Sequence, residues 1–222
     1  GRPALEEVGV QFVPDVAPYE HMKIRILNGG HAAIAYPAAL LDIHFVHEAM
    51  AEPLIRAFLE KLEHEEIIPV IPPVPDTDLR EYYKLIETRF SNPKIGDTVA
   101  RLAQDGSNRQ PKFILPSTAD RLRRGDDVVG LSLVSALWCR YLAGKSDSGR
   151  EILFNDPNSD RLHAAALLAK DDPMEFLALS DIFGDVAQSD LFRRRFSHAL
   201  KTLWEKGTRQ TLQVYLDGKL GE

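Results

Sequence analysis

A single cysteine in 222 residues, Cys139, rules out an intrachain disulfide and any cysteine-based metal cluster. It lies in the apolar run from Val128 to Leu142, where a free thiol reads as a small buried hydrophobe. The chain also lacks a long uncharged apolar stretch and a basic-then-apolar leader, so the expectation is a cytoplasmic protein with no membrane partner. Positive charge is not in excess either. Lys and Arg number 27 against 33 Asp and Glu, a formal net charge of −6, which argues against a general affinity for nucleic acid. Two basic runs, Arg121-Leu-Arg123-Arg124 and Arg193-Arg194-Arg195, have acidic residues nearby and no interleaved aromatics, so they read as solvated helix faces.

Three chemical signatures are missing as well. His44, His47 and His64 stand near Glu48, Glu63 and Glu65, but the order is not His-Glu-x-x-His, and no metal ligand is assigned. No G-x-S-x-G elbow occurs, so no hydrolase nucleophile is assigned. No G-x-G-x-x-G follows a strand, and Gly29-Gly30 falls inside a helical pattern, so a dinucleotide cradle is absent from the sequence.

What is present is a helical pattern over nearly the whole length, with 44% hydrophobic residues, enough for a sizeable core. The fold class expected is mainly α. Val8, Val10 and Phe12 alternate like a short strand, and a long helix is expected from about Pro18 to Leu41. Phe45 to Leu62 is helical with a kink or division at Pro53. Pro69 to Pro75 holds four prolines and reads as a rigid linker over the surface. Asp76 is expected to cap a helix running to Phe90, and Asp97 to start a shorter one containing Arg101. Asp105 to Arg109 reads as a loop that folds Arg101 and Arg109 toward a common pocket. Val128 to Leu142 is the expected central helix, and several shorter amphipathic helices follow, ending near Leu220. Trp138, Trp204, Tyr82, Tyr83 and Phe192 read as core.

Within the first long helix, Lys23, Asn28 and His31 fall at about 0°, 140° and 80° on an α-helical wheel, an amine, an amide and an imidazole on one broad face. Glu20 lies on its flank. Gly29-Gly30 costs about 1 kcal/mol per residue relative to alanine, which suggests that something approaches the backbone closely. Such a set suits removal of a hydroxyl proton from an alcohol: a neutral lysine accepts it, while amide and imidazole donors support the developing negative oxygen. For that, the lysine must fall from its free pKa of about 10.4 through desolvation or a nearby cation. By themselves, such residues are more often a solvated helix face with a packing glycine pair than an active site.

Lys23-x4-Asn28-x2-His31, followed by Ala-Ala-Ile-Ala-Tyr36, resembles the catalytic signature of the long-chain mannitol dehydrogenase family. Two further segments resemble it: the opening Gly1 to Phe12, and the block Arg89-Phe-Ser-Asn92-Pro93-Lys-Ile-Gly-Asp97 through Arg101 to Arg109. The resemblance implies a helical substrate-binding and catalytic domain over 1–222, similar to the C-terminal domain of 6-phosphogluconate-dehydrogenase-like enzymes. Residues 1–17 would be the junction from a Rossmann domain outside the chain, which would bind NAD or NADP. The opening Gly1-Arg2-Pro3, without an initiator methionine, fits a fragment. The resemblance further implies a zinc-independent polyol dehydrogenase interconverting a mannitol-like sugar alcohol and a ketose. Lys23 would be its general base, Asn28 and His31 would position the reacting oxygen, Arg101 and Arg109 would bind substrate, and Glu20 would relay the proton outward. The family often carries lysine where Arg109 stands, which bears on substrate preference. Two other readings are a fructuronate or tagaturonate reductase of the same family, and a non-catalytic helical interaction domain.

Overall fold

Residues 2–221 are described by a computed structural model in which helices are joined by turns and by longer non-helical segments such as 143–158. Among the described residues there is no strand, and the β pairing is confined to two isolated bridges, Phe45 with Thr98 and Lys145 with Glu151. The expected mainly-α architecture is what the chain adopts. Gly1 and Glu222, the ends of the expected domain span, lie outside the described residues. No helix among the described residues is long and apolar enough to cross a membrane.

The central helix is Val129–Leu142, and every residue from Gly130 to Leu142 is buried, as its apolar pattern on nearly all faces requires. It packs against Gly29–Leu40 on one side and the long final helix Asp190–Leu216 on the other. Alanines 32, 33, 35 and 38 keep the first of these neighbours thin, and the Tyr36 and Tyr141 rings meet at 5.4 Å. Cys139 is buried and free.

The N-terminus of the central helix has no capping side chain of its own. Its exposed N–H groups are served from elsewhere in the chain: the buried Glu66 carboxylate accepts from Gly130 N at 2.6 Å and from Leu131 N at 3.0 Å. Burial nevertheless wins over these two donors and pushes the Glu66 carboxyl up to about 7 from 4.5. A carboxyl whose pKa is raised on folding holds its proton more tightly folded than unfolded. Its contribution is therefore complete below about pH 4.5 and is lost as the pH rises through about 7. Wild type is expected to lose stability relative to Glu66→Gln across that window, measured by urea unfolding at each pH. A pH-independent difference between the two would exclude Glu66 as the source.

Several sequence expectations are corrected by the structure. The residues read as a strand, Val8, Val10 and Phe12, have no partner segment: a 3-10 turn spans Leu5–Val8 and all three side chains are exposed. The first long helix is not uniform, being Ala17–Met22, a π-helical turn Lys23–Asn28, and Gly29–Leu40. Glu52 takes an extended conformation before Pro53 and divides Val46–Ala51 from Pro53–Leu62, the break expected there. The proline-rich linker is not merely superficial, since Val70, Ile71 and Val74 are buried. Asp76 occupies a left-handed turn with φ of 51°, and Asp78 is the residue whose side chain caps Leu79–Phe90. Likewise Thr98, not Asp97, caps Val99–Ala103.

The Asp105 to Arg109 loop is in fact a short helix, Gly106–Arg109, that continues through a π-helical turn, Gln110–Ile114, into Leu115–Arg124. The tail is dominated by one helix, Asp190–Leu216, broken at Gly207, whose φ of 77° only glycine tolerates cheaply. The basic runs are structural rather than simply solvated: Arg121 donates to the Asp127 and Glu65 carbonyls, Arg124 to the Pro69 carbonyl, and Arg195 pairs with Asp127. Trp138, Tyr83 and Phe192 are core residues, whereas Tyr82 and Trp204 are only partly covered.

Candidate functional site

Lys23, Asn28 and His31 are registered by the π-helical turn that spans Lys23–Asn28. Hydrogen bonding from i to i+5 accommodates one extra residue in the turn, so everything after it is rotated back by about 100°. Asn28 then lies about 40° from Lys23, and His31 about 20° on the other side. The arc of about 140° expected from a uniform α-helix narrows to about 60°. Glu20, before the turn, keeps its flanking place and is exposed.

Neighbours hold this turn in place. Arg25, within it, pairs with Asp120 of Leu115–Arg124, and both side chains are largely covered. The close approach expected at Gly29-Gly30 is real, but what approaches is the protein itself. A Cβ on Gly29 would stand 3.3 Å from the Phe113 carbonyl oxygen, and one on Gly30 would stand 3.3 Å from Glu63 Oε1 and 3.4 Å from Phe90 Cε2. The glycine pair therefore belongs to packing between helical segments, two of them π-helical.

His31 stacks on Phe90, with ring centroids 4.3 Å apart and an interplanar angle of 19°. Burial lowers its pKa to about 4, and the positive charges of Arg101, Arg109 and Arg89 act in the same direction, while Asp97 opposes them. The imidazole is consequently neutral at physiological pH, with one ring nitrogen to donate and the other to accept. It opens onto a cleft of about 200 Å³ whose floor includes Leu27, Val46 and Phe90. The polar wall of this cleft is His31, His47, Arg89, Asn92, Asp97 and Arg101.

His31 and Arg101 thus share a cleft, whereas Lys23, exposed, and Asn28, half-buried, lie in the adjoining turn and do not line it. Arg109 departs from expectation. Its Nη1 donates to the Leu102 carbonyl at 2.6 Å, and it is not part of the cleft wall, because the residues after Asp105 form helix where a loop was expected. Of the wall, His47 was weighed in the sequence only as a metal ligand. Arg89, Asn92 and Asp97 enter the sequence reading as members of a family-like block, and Asp97 also as a helix start, none of them as part of the site. The signal that joins them is tertiary, the antiparallel bridge of Phe45 with Thr98 that lays residues 45–47 beside 97–101.

The described residues contain no group of three or more His, Cys, Asp or Glu placed to hold a metal ion. With no strand among them, they also provide no strand–glycine–helix cradle for a dinucleotide.

Comparison with known proteins places these features in a family. The mannitol dehydrogenase C-terminal domain family matches residues 15–204. A mannitol 2-dehydrogenase of Cereibacter sphaeroides is 57% identical over 216 residues, covering 97% of this chain and 45% of the relative. A mannitol dehydrogenase of Saccharomyces cerevisiae is 40% identical over 219 residues, covering 98% of this chain and 44% of the relative. Among solved structures, the Pseudomonas fluorescens mannitol 2-dehydrogenase ternary complex with NAD and D-mannitol superposes with a TM-score of 0.92 at 35% identity, covering 98% of this chain and 44% of that one. A D-sorbitol dehydrogenase in substrate-free form gives a TM-score of 0.86 at 25% identity, covering 96% of this chain and 44% of that one. The chain spans less than half the length of these relatives.

Proposed function

Since the chain belongs to the mannitol dehydrogenase C-terminal domain family, we propose that it is the substrate-binding, catalytic domain of an NAD(P)-dependent polyol dehydrogenase that works without a metal. The observation that carries this reading is that His31 and Arg101 meet at one cleft, which the π-helical turn Lys23–Asn28 adjoins through Leu27. The rest of the active site, including the dinucleotide cradle, is assigned to an N-terminal Rossmann domain outside this chain, with residues 1–17 as the junction. Bound there, the dinucleotide supplies the hydride acceptor or donor.

The chain's own residues handle binding and the proton. Lys23 Nζ, in its neutral form, accepts the hydroxyl proton of the carbon being oxidised. Asn28 Nδ2 and a ring N–H of neutral His31 donate to the oxygen as its negative charge grows. Arg101 donates to hydroxyls farther along the substrate. Glu20, exposed one turn before Lys23, passes the proton to water. Lys23 is itself exposed in this chain, so its desolvation is assigned to closure of the Rossmann domain and substrate over it.

A neutral polyol is proposed as the substrate, as for the mannitol 2-dehydrogenase relatives. The cation invoked for a carboxylate substrate, Arg109, is engaged with the Leu102 carbonyl and lies outside the cleft wall. The test compares the isolated chain with a full-length protein carrying the N-terminal domain, assayed with NAD or NADP against mannitol, arabinitol and a hexuronate. Turnover of a polyol by the full-length protein alone is expected, with weak dinucleotide binding by the isolated chain. Polyol turnover by the isolated chain would overturn this division of labour, and a full-length protein active only on the hexuronate would overturn the substrate.

A further inference from the structure

In the cleft wall, Asp97 and Arg101 form an ion pair one helical turn apart. Arg101 Nε donates to Asp97 Oδ1 at 2.5 Å, and Arg101 Nη2 donates to Asp97 Oδ2, so the two planar groups meet fork to fork. The pair is also anchored from the backbone. Asp97 Oδ1 accepts from Thr98 N at 2.9 Å, the Asp97 carbonyl accepts from Val46 N at 3.0 Å, and Arg101 N donates to Thr98 Oγ1 at 3.3 Å. The Phe45–Thr98 bridge and the bond from Val99 N to the His44 carbonyl, 2.9 Å, tie the same segment to the opposite side of the cleft. Asp97 is mostly covered, at 18% side-chain exposure, while Arg101 is 54% exposed.

Resting on the polyol reading above, we infer that Asp97 is a positioning residue: it clamps the Arg101 guanidinium in one plane and meets its charge, so that Arg101 presents oriented hydrogen-bond donors to the hydroxyls of a neutral substrate. The donor count supports this. A guanidinium has five N–H groups, and the fork uses one on Nε and one on Nη2, leaving three directed away from Asp97. Those three are fixed in orientation before substrate arrives, which reduces the ordering cost of binding. A lysine at position 101 could not be held this way, because an ammonium is a rotating point donor without a plane. With its charge met by Asp97, Arg101 acts on hydroxyl oxygens as an oriented hydrogen-bond donor rather than as a free positive charge.

The experiment uses the full-length protein and the variants Asp97→Asn, Arg101→Lys and the double substitution. Asp97→Asn keeps shape and the acceptor for Thr98 N but breaks one arm of the fork and uncovers a positive charge. It is expected to raise the polyol KM about tenfold with kcat within about threefold and the dinucleotide KM unchanged, and to raise the hexuronate-to-polyol ratio of kcat/KM. Arg101→Lys is expected to raise the polyol KM similarly, and the double variant to cost no more than either single one, since each removes the same clamp. Slow exchange of the Arg101 Nε–H by NMR, lost in Asp97→Asn, reads the clamp without any turnover. Absence of polyol turnover in wild type would sink the functional reading while this signal still reports the clamp. Fast exchange in wild type, an unchanged polyol KM in Asp97→Asn, a parallel fall in all parameters, or additive costs in the double variant would each overturn the positioning role.

Discussion

Lys23→Ala in the full-length protein is expected to lower polyol turnover by about 10²–10⁴-fold, the range lost when a positioned general base is removed. Dinucleotide affinity should change little, because the cradle for it is assigned outside this chain, and the polyol KM should change less than kcat, because the lysine acts on the proton that leaves in the transition state. On the proposed mechanism Asn28 and His31 are untouched by the substitution, so substrate binding and support of the oxygen are expected to persist while the proton acceptor is lost. Steady-state kinetics in the oxidative direction make the measurement. Near-normal turnover would take the base role away from Lys23 and leave His31, neutral at physiological pH, as the next group to consider.

Gly130→Ala is expected to destabilise the fold without touching the cleft. A Cβ there would stand 2.5 Å from Tyr215 Oη, 2.7 Å from Glu66 Oε1 and 2.8 Å from Leu62 Cδ1. None of the three is free to withdraw. Tyr215 is buried edge-to-face against Phe58, with ring centroids 5.3 Å apart, Leu62 is in the core, and Glu66 is the cap of the central helix. Overpacking of this kind costs about 1–3 kcal/mol, and displacement of the cap adds about 1 kcal/mol. The helix preference of alanine returns about 1 kcal/mol. The balance is a loss of about 2 kcal/mol, or a fall in Tm of about 4–8 °C for a chain of this size. Calorimetry checks it, and an unchanged Tm would show that the helix ends at this junction relax more readily than the close approaches suggest.

Much of the architecture was legible because its signals are local. Val128 to Leu142 is apolar around its whole circumference, which suits only a helix surrounded by others, and Val129–Leu142 is that helix. Pro53 removes a backbone donor and sets off Pro53–Leu62 from the helix before it. The misreadings come from features with no local signature. Val8, Val10 and Phe12 alternate as a strand does, but a strand needs a partner, and no segment is laid beside them. Nothing in Lys23-Ile-Arg-Ile-Leu-Asn28 announces an i to i+5 turn. That turn is set against Glu63–Ile67 and Gln110–Ile114, two π-helical segments far away in sequence.

The sequence by itself determined the mainly helical class, the central helix, the thiol's burial, and the amine, amide and imidazole at Lys23, Asn28 and His31, because residue type and periodicity act over a few neighbouring positions. Tertiary structure alone decided how those three groups are registered, that the visitor at Gly29-Gly30 is the Phe113 carbonyl and the Glu63 side chain, and that Arg101 joins the cleft while Arg109 does not. The physical reason is the same in each case. The turn geometry, the close approaches and the Asp97 fork depend on contacts between segments tens of residues apart or on the exact start of a short helix, and neither is encoded in the spacing of side chains along one stretch of chain.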